Sequence, residues 1–145
     1  MADRTATVTW EGSLTGGQGT IDTGSGVLHG SPVTWASRVE TPQGKTSPEE
    51  LLAASQAECY AMVLTNMLTE AGTTPERLTV TATCTVQPHD GGLRITTMRI
   101  EATGRVPGVD AETFSRTAQE GEKNCPVSNA LRGNVEISVE AKLEG

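Results

Sequence analysis

The segment that most limits how this chain can fold begins at Thr46-Ser47-Pro48-Glu49-Glu50, where the signals for a helix start coincide. Ser47 supplies an N-cap hydroxyl, Pro48 takes the first helical position where its missing N–H is not needed, and Glu50 completes a capping box with Ser47. The pattern predicts a helix to about Ala71, stopped by Gly72 as the left-handed C-terminal residue. Ala53, Ala57, Tyr60, Leu64, Met67 and Ala71 make one apolar line along it, and Leu51, Ala54, Ala61, Met62, Thr65 and Leu68 make a second. A helix that is apolar over most of its circumference is expected to be buried on several sides.

The remaining segments read as short strands and turns around that helix. Thr5 to Trp10 and Thr20 to Thr23 are β-favouring runs separated by Leu14-Thr15-Gly16-Gly17-Gln18-Gly19 and followed by Gly24-Ser25-Gly26, which predicts an antiparallel meander. A third strand is expected from Pro32 to Glu40, with Val33, Trp35, Ser37 and Val39 on one face and Arg38 projecting opposite Trp35. After Pro75, Leu78, Val80, Ala82, Cys84 and Val86 alternate toward one side. The turn Pro88-His89-Asp90-Gly91-Gly92 then leads into a partner strand from Leu93 to Val106, which makes a hairpin. Asp110 caps a more polar helix to about Glu122, Cys125-Pro126 opens a helical turn through Leu131, and Val135, Ile137, Val139 and Ala141 mark a last strand. The order predicts an α+β fold in which sheets wrap a buried helix, and 145 residues without repeats or linkers suit a single domain, 1–145.

Composition narrows the function. A net charge of −7 opposes binding to nucleic acid or acidic lipid. Only 3% of residues are aromatic, so the core is built from aliphatic and small side chains, and a partner subunit is expected to supply further burial. Gln56, Glu58 and Asn66 interrupt the longest apolar stretch, Leu51 to Leu68, which excludes a membrane span. The start Met1-Ala2-Asp3-Arg4 does not resemble a secretory signal, which predicts a cytoplasmic protein. His29 and His89 are the only histidines, so no metal cluster is expected, and no glycine-rich loop followed by Lys-Ser or Lys-Thr suggests a nucleotide cofactor. Three cysteines remain, for thiol chemistry or for packing.

Cys59 lies near the middle of the long helix among Ala57, Tyr60 and Met62. Its ordinary role there is a small buried hydrophobe, and apolar burial with Glu58 alongside raises its pKa unless a cation is brought to it. Cys125 stands where the chain enters a helical turn, beside free backbone N–H groups that can activate a thiol, or else is a plain loop cysteine. Cys84 falls in register with the inward residues of its strand and reads as core.

Taken together, Thr46-Ser47-Pro48-Glu49-Glu50-Leu51-Leu52-Ala53-Ala54, then Cys59, and later Asn124-Cys125-Pro126-Val127-Ser128-Asn129-Ala130-Leu131, resemble the superfamily of osmotically inducible protein C and the organic hydroperoxide resistance proteins. The match spans nearly the whole chain and lies closer to the osmotically inducible branch, because the cation falls at Arg38 and the early glycine-rich turn offers only Gln18. The resemblance implies an intertwined homodimer with two active sites at the subunit interface. It also implies cysteine-based reduction of organic hydroperoxides in oxidative-stress defence, regenerated by a dithiol such as a lipoylated protein. Carried over by position, Cys59 is the peroxidatic thiol, Cys125 the resolving thiol, Arg38 the activating cation and Glu49 the carboxylate that orients it.

The chemistry suits that set. Cleaving a peroxide O–O bond places negative charge on sulfur and on the leaving oxygen, and a guanidinium meets both while a carboxylate holds its fork in place. Glu49 and Cys59, ten residues apart on one helix, are separated by roughly 15 Å along its axis. Either the helix breaks between them, or Arg38 and Glu49 serve the Cys59 of a partner subunit, which is the favoured arrangement. Tyr60, Met62 and Met67 are expected to help line a pocket for the organic tail. Two rival readings stay open: a redox-sensing thiol switch that uses the same cysteines without rapid turnover, and a ligand-binding dimer that has lost activation.

Overall fold

Trp10 packs across Gly19 in the first sheet. The computed structural model of the chain describes residues 1–144. Strands β1 (Ala6–Glu11), β2 (Gln18–Thr23) and β3 (Ser31–Val33) form an antiparallel sheet in that order. Trp10 pairs with Gly19, and a Cβ on Gly19 would lie 2.8 Å from the Trp10 ring and 2.9 Å from the Val33 side chain, so only glycine fits there. Every residue of β1 is exposed, whereas Ile21 on β2 is buried.

The expected third strand is shorter than its alternation suggested. It ends at Val33, and Trp35–Val39 forms a short helix, α1. The cause is local: the Thr34 hydroxyl accepts from the Ser37 N–H at 3.1 Å and the Ser37 hydroxyl accepts from the Thr34 N–H at 3.1 Å. This reciprocal capping box offers the backbone a helical turn in place of a sheet ladder. Arg38 therefore does not project opposite Trp35. Its guanidinium carbon sits 6.0 Å from the centroid of the Trp35 ring, one helical turn back.

Helix α2 (Pro48–Glu70) runs unbroken for 23 residues. At its start the Ser47 hydroxyl accepts from the Glu50 N–H at 3.1 Å, while the Glu50 carboxylate takes the Thr46 hydroxyl at 2.8 Å. At its end Gly72 has φ +84°, and the bonds Thr73 N–H to Leu68 O (2.9 Å) and Gly72 N–H to Thr69 O (3.0 Å) complete a Schellman cap. Within the chain α2 buries one face rather than several: Gln56, Tyr60, Leu64 and Leu68, each four residues on, are buried, while Ala54, Glu58, Met62 and Thr65 are exposed.

That buried line belongs to a core shared with Met98, Ile100, Ala102, Phe114 and Cys125. Strands β4 (Arg77–His89) and β5 (Gly92–Arg105) form the expected hairpin around Asp90 and Gly91, at φ +46° and +78°, the left-handed pair of a tight two-residue turn. Helix α3 (Ala111–Lys123) starts at Asp110, whose carboxylate accepts from the Thr113 N–H at 2.7 Å, and packs Phe114 against Gly104. Helix α4 (Pro126–Leu131) leads to β6 (Glu136–Leu143), which joins the edge of β5 in parallel. A parallel neighbour needs a long crossover, and α3 with α4 provides it.

The elements fall into two compact units, Met1–Leu51 and the chain from Leu52 onward. No helix among the described residues is long and apolar enough to cross a membrane.

Candidate active site

In the first unit, the last turn of α1 and the first turn of α2 bring two charged side chains together. Glu49 is held at the start of α2 by the Ser47 cap, and Arg38 is aimed at it from α1, whose capping hydroxyl Ser37 also donates to the Thr46 carbonyl at 3.3 Å. Arg38 Nε donates to both Glu49 carboxylate oxygens, at 3.1 and 3.3 Å, and Nη2 donates to Oε1 at 2.9 Å. The carboxylate is nearly covered, with 7% of its side chain exposed, while Arg38 keeps 32%. A buried carboxylate spends its lone pairs on the fork, and the more open guanidinium keeps its remaining edge for another group.

Beside that pair lies a pocket of 390 Å³ whose walls include Val8, Trp10, Leu14, Ile21, Trp35 and Leu51, with Arg38 among its lining residues. Such a space accepts an apolar chain and meets it with one positive charge. Tyr60, Met62 and Met67, expected to help line a pocket for an organic tail, are not among the residues that line this one. Tyr60 is fully buried, with its hydroxyl donating to the Ala118 carbonyl at 2.7 Å, and Met62 and Met67 face a separate depression together with Asn66 and Asn124. The residues missed were those of β1 and β2. Their signal was present in the alternation of Val8 and Trp10 and in Ile21, the register partner of Val8.

The second unit holds the thiols. Cys59 is half-buried on α2, and Cys125, the N-cap residue of α4, is fully buried. Their sulfurs stand 3.3 Å apart across 66 residues of chain, as two thiols sharing a proton. Around them Gln56, fully buried, donates its Nε2 to Ser128 Oγ at 2.9 Å and to Cys125 Sγ at 3.4 Å. Pro126 opens α4 without needing an N–H, and the Cys125 side chain makes no cap hydrogen bond to that first turn.

The two sulfurs are tuned in opposite directions. Burial pushes the Cys59 thiol up, a hydrogen bond from the Val127 backbone pulls against it, and Cys125 and the Glu58 carboxylate push it further up. For Cys125, burial also pushes up, but the Ser128 backbone and hydroxyl, Cys59 and the Val127 backbone together outweigh it and bring the thiol below its ordinary value. None of the groups of the second unit that act on Cys59 is a cation. The structure therefore pairs Arg38 with Glu49 and Cys59 with Cys125, in different units. Among the described residues no group of three or more His, Cys, Asp and Glu is arranged to hold a metal ion.

Comparison with known proteins gives a consistent picture. A family described as OsmC-like protein matches residues 41–140. The chain is 39% identical over 133 residues to peroxiredoxin OsmC of Escherichia coli, covering 92% of each. It is 30% identical over 143 residues to organic hydroperoxide resistance protein OhrB of Bacillus subtilis, covering 98% of this chain and 100% of that one. The crystal structure of OhrB from Bacillus subtilis superposes with a TM-score of 0.74 over 94% of this chain and 97% of that one, at 26% identity. An OsmC-like protein of Vibrio cholerae reaches a TM-score of 0.76 at 17% identity, covering 97% of this chain and 99% of that one, which is a likeness of fold alone. The α+β arrangement of two small sheets and helices is thus the OsmC-like fold, and the chain belongs to the OsmC family.

Proposed function

We propose that the chain is a cysteine-based peroxidase that reduces organic hydroperoxides to alcohols in defence against oxidative stress. The observation that carries this reading is the contact of the Cys59 and Cys125 sulfurs at 3.3 Å, with one half-buried and the other fully buried. Peroxide then reaches Cys59 alone, and its product finds a second thiol already in place. The names of the relatives, a peroxiredoxin and an organic hydroperoxide resistance protein, support the same chemistry.

In the first step the Cys59 thiolate attacks the outer peroxide oxygen. An S–O bond forms, the O–O bond breaks, and the alkoxide leaves to take up a proton as the alcohol. Arg38, oriented by Glu49, stabilises both the thiolate and the leaving oxygen. The sulfenic acid at Cys59 then condenses with Cys125, releasing water before further oxidation can occur. An external dithiol, of the lipoylated-protein type, reduces the disulfide. The apolar pocket beside Arg38 favours peroxides with an organic tail over hydrogen peroxide.

Because α2 is unbroken between Glu49 and Cys59, the reading assigns the Arg38–Glu49 pair of one subunit to the Cys59 of the other. The working form is a cytoplasmic homodimer of single-domain chains with two sites at the subunit interface. The wholly exposed strand β1 and the exposed Met62 on α2 support a partner that covers them. A redox-sensing thiol switch remains the second reading, favoured by the raised Cys59 thiol. Consumption of cumene hydroperoxide with a dithiol reductant separates the two. Turnover that disappears with Cys59→Ser or Cys125→Ser supports the peroxidase, and a folded, reduced wild type without turnover overturns it.

A further inference from the structure

Gln56 occupies a position where an apolar side chain would pack without polar atoms to satisfy. It lies three residues before Cys59 on α2, on the same helix face, and it is fully buried. Its Nε2 is used twice, on Ser128 Oγ and on Cys125 Sγ, while its Oε1 accepts from no donor among the described residues. Turning the amide over would exchange the two atoms and leave the N–H without an acceptor instead. Either way, half of the group goes unpaired so that the other half can meet sulfur. A buried orphan of that kind calls for a functional explanation.

The side chain directed at the Cys125 sulfur is a donor, the Gln56 amide at 3.4 Å. Against its burial, the Ser128 backbone and hydroxyl and the Val127 backbone bring the Cys125 thiol below its ordinary value, and the Cys125 thiol in turn donates to Cys59 at 3.3 Å. The Ser128 oxygen accepts from the same Gln56 amide at 2.9 Å, which holds that amide against the Cys125 sulfur. Donors of this type stabilise sulfur far more when it carries negative charge than when it is neutral. Cys59, one helical turn from Gln56, has no such set.

We propose that Gln56 and Ser128 are positioning residues that form a donor cradle for the Cys125 sulfur and so set the rate at which Cys125 attacks an oxidised Cys59. This deepens the peroxidase reading and rests on it for the sulfenic acid, whereas the cradle acts on any Cys59 sulfur that carries a leaving group. In the peroxidase cycle a lone pair of Cys125 sulfur forms the S–S bond, the Cys59 S–O bond breaks, and hydroxide leaves and is protonated to water. When an external dithiol attacks Cys59, the same cradle receives the charge as Cys125 departs. The titratable groups facing Cys125 are Cys59 and Tyr60 of α2. Beyond Tyr60 stands Glu122 of α3, ion-paired with Arg132 at 2.8 Å.

Ellman's reagent tests the cradle without peroxide. The accessible Cys59 releases one thionitrobenzoate as it is labelled, and Cys125 releases a second when it attacks the Cys59 mixed disulfide. Cys125→Ser is expected to abolish the second release. In rapid mixing, Gln56→Met and Ser128→Ala are each expected to slow the second release about tenfold relative to the first, the loss of one hydrogen bond to a charged group. Each is also expected to move the pH midpoint of the second release upward, which mere loss of packing would not do. Ser128→Ala, a small truncation, carries the test if Gln56→Met fails to fold. A second release with wild-type rate and wild-type pH midpoint in the folded variants overturns the proposal. A normal second release in a wild type that does not consume peroxide would instead count against the peroxidase alone.

Discussion

The unit Met1–Leu51 and the unit from Leu52 onward are built on different principles. In the first, Ile21 is the one buried hydrophobic side chain among the described residues, and β1 is exposed along its whole length. What order it has around the cation comes from local bonds: the Thr34–Ser37 box, the Ser47 cap and the Arg38–Glu49 fork. In the second, Tyr60, Leu64, Leu68, Met98, Ile100 and Phe114 form a continuous core, and both sulfurs are set in its wall. A nucleophile pair needs a fixed separation and a dry setting, where hydrogen bonds to sulfur are strong, and a packed core supplies both. A cation that must meet an incoming substrate is better carried where one face stays open.

The comparison can be broken in four ways. Cys59→Ser should reduce hydroperoxide turnover to background. Persistent turnover would show that Cys59 is not the attacking thiol. Phe114→Ala, which empties the space above Gly104, should cost about 3–5 kcal/mol in urea unfolding. Its counterpart in the first unit, Val8→Ala on β1, should stay within about 0.5 kcal/mol in a dissociated chain, where β1 is exposed, and cost more in the homodimer. A loss at Val8 approaching that at Phe114 would mean that β1 is covered in the assembled protein.

Arg38→Met should lower kcat/KM for an organic hydroperoxide by about 10²–10³. Burial raises the Cys59 thiol, so it stays protonated to higher pH, and if Arg38 is the activating cation we propose, its removal should move the midpoint of Cys59 alkylation upward. An unchanged pH profile in Arg38→Met would show that the guanidinium does not act on Cys59. A smaller loss than that at Phe114 is expected at Ser47→Ala, about 1 kcal/mol from the lost N-cap of α2. Because that cap also seats Glu49, activity should fall with it, and intact activity would show that the ion pair alone holds the site.

Much of this was legible without coordinates, and the parts that were share a cause. The start of α2 at Ser47-Pro48, its stop at Gly72, the Asp90-Gly91 turn and the Asp110 cap are each decided by hydrogen bonds or φ angles within about five residues. The same holds for the inward register of Leu78, Val80, Ala82, Cys84 and Val86 on β4. The third strand was misread because two local signals competed. The alternation of Val33, Trp35, Ser37 and Val39 suggested a strand, but the hydroxyls of Thr34 and Ser37 satisfied the backbone as a helix.

By itself, then, the sequence determined the secondary structure near its capping residues, the family, and the four side chains Arg38, Glu49, Cys59 and Cys125 as candidates. Only the tertiary structure decided that β6 joins β5 in parallel, that the strands of the first sheet share an apolar pocket with α1 and the start of α2, and that Gln56 bridges Ser128 and the buried sulfur. It also decided that the Cys59 and Cys125 sulfurs meet across 66 residues. The physical reason is range. Caps and turns are settled by neighbours in sequence, whereas these contacts exist only once a long loop has closed and side chains from separate elements share one packed interior.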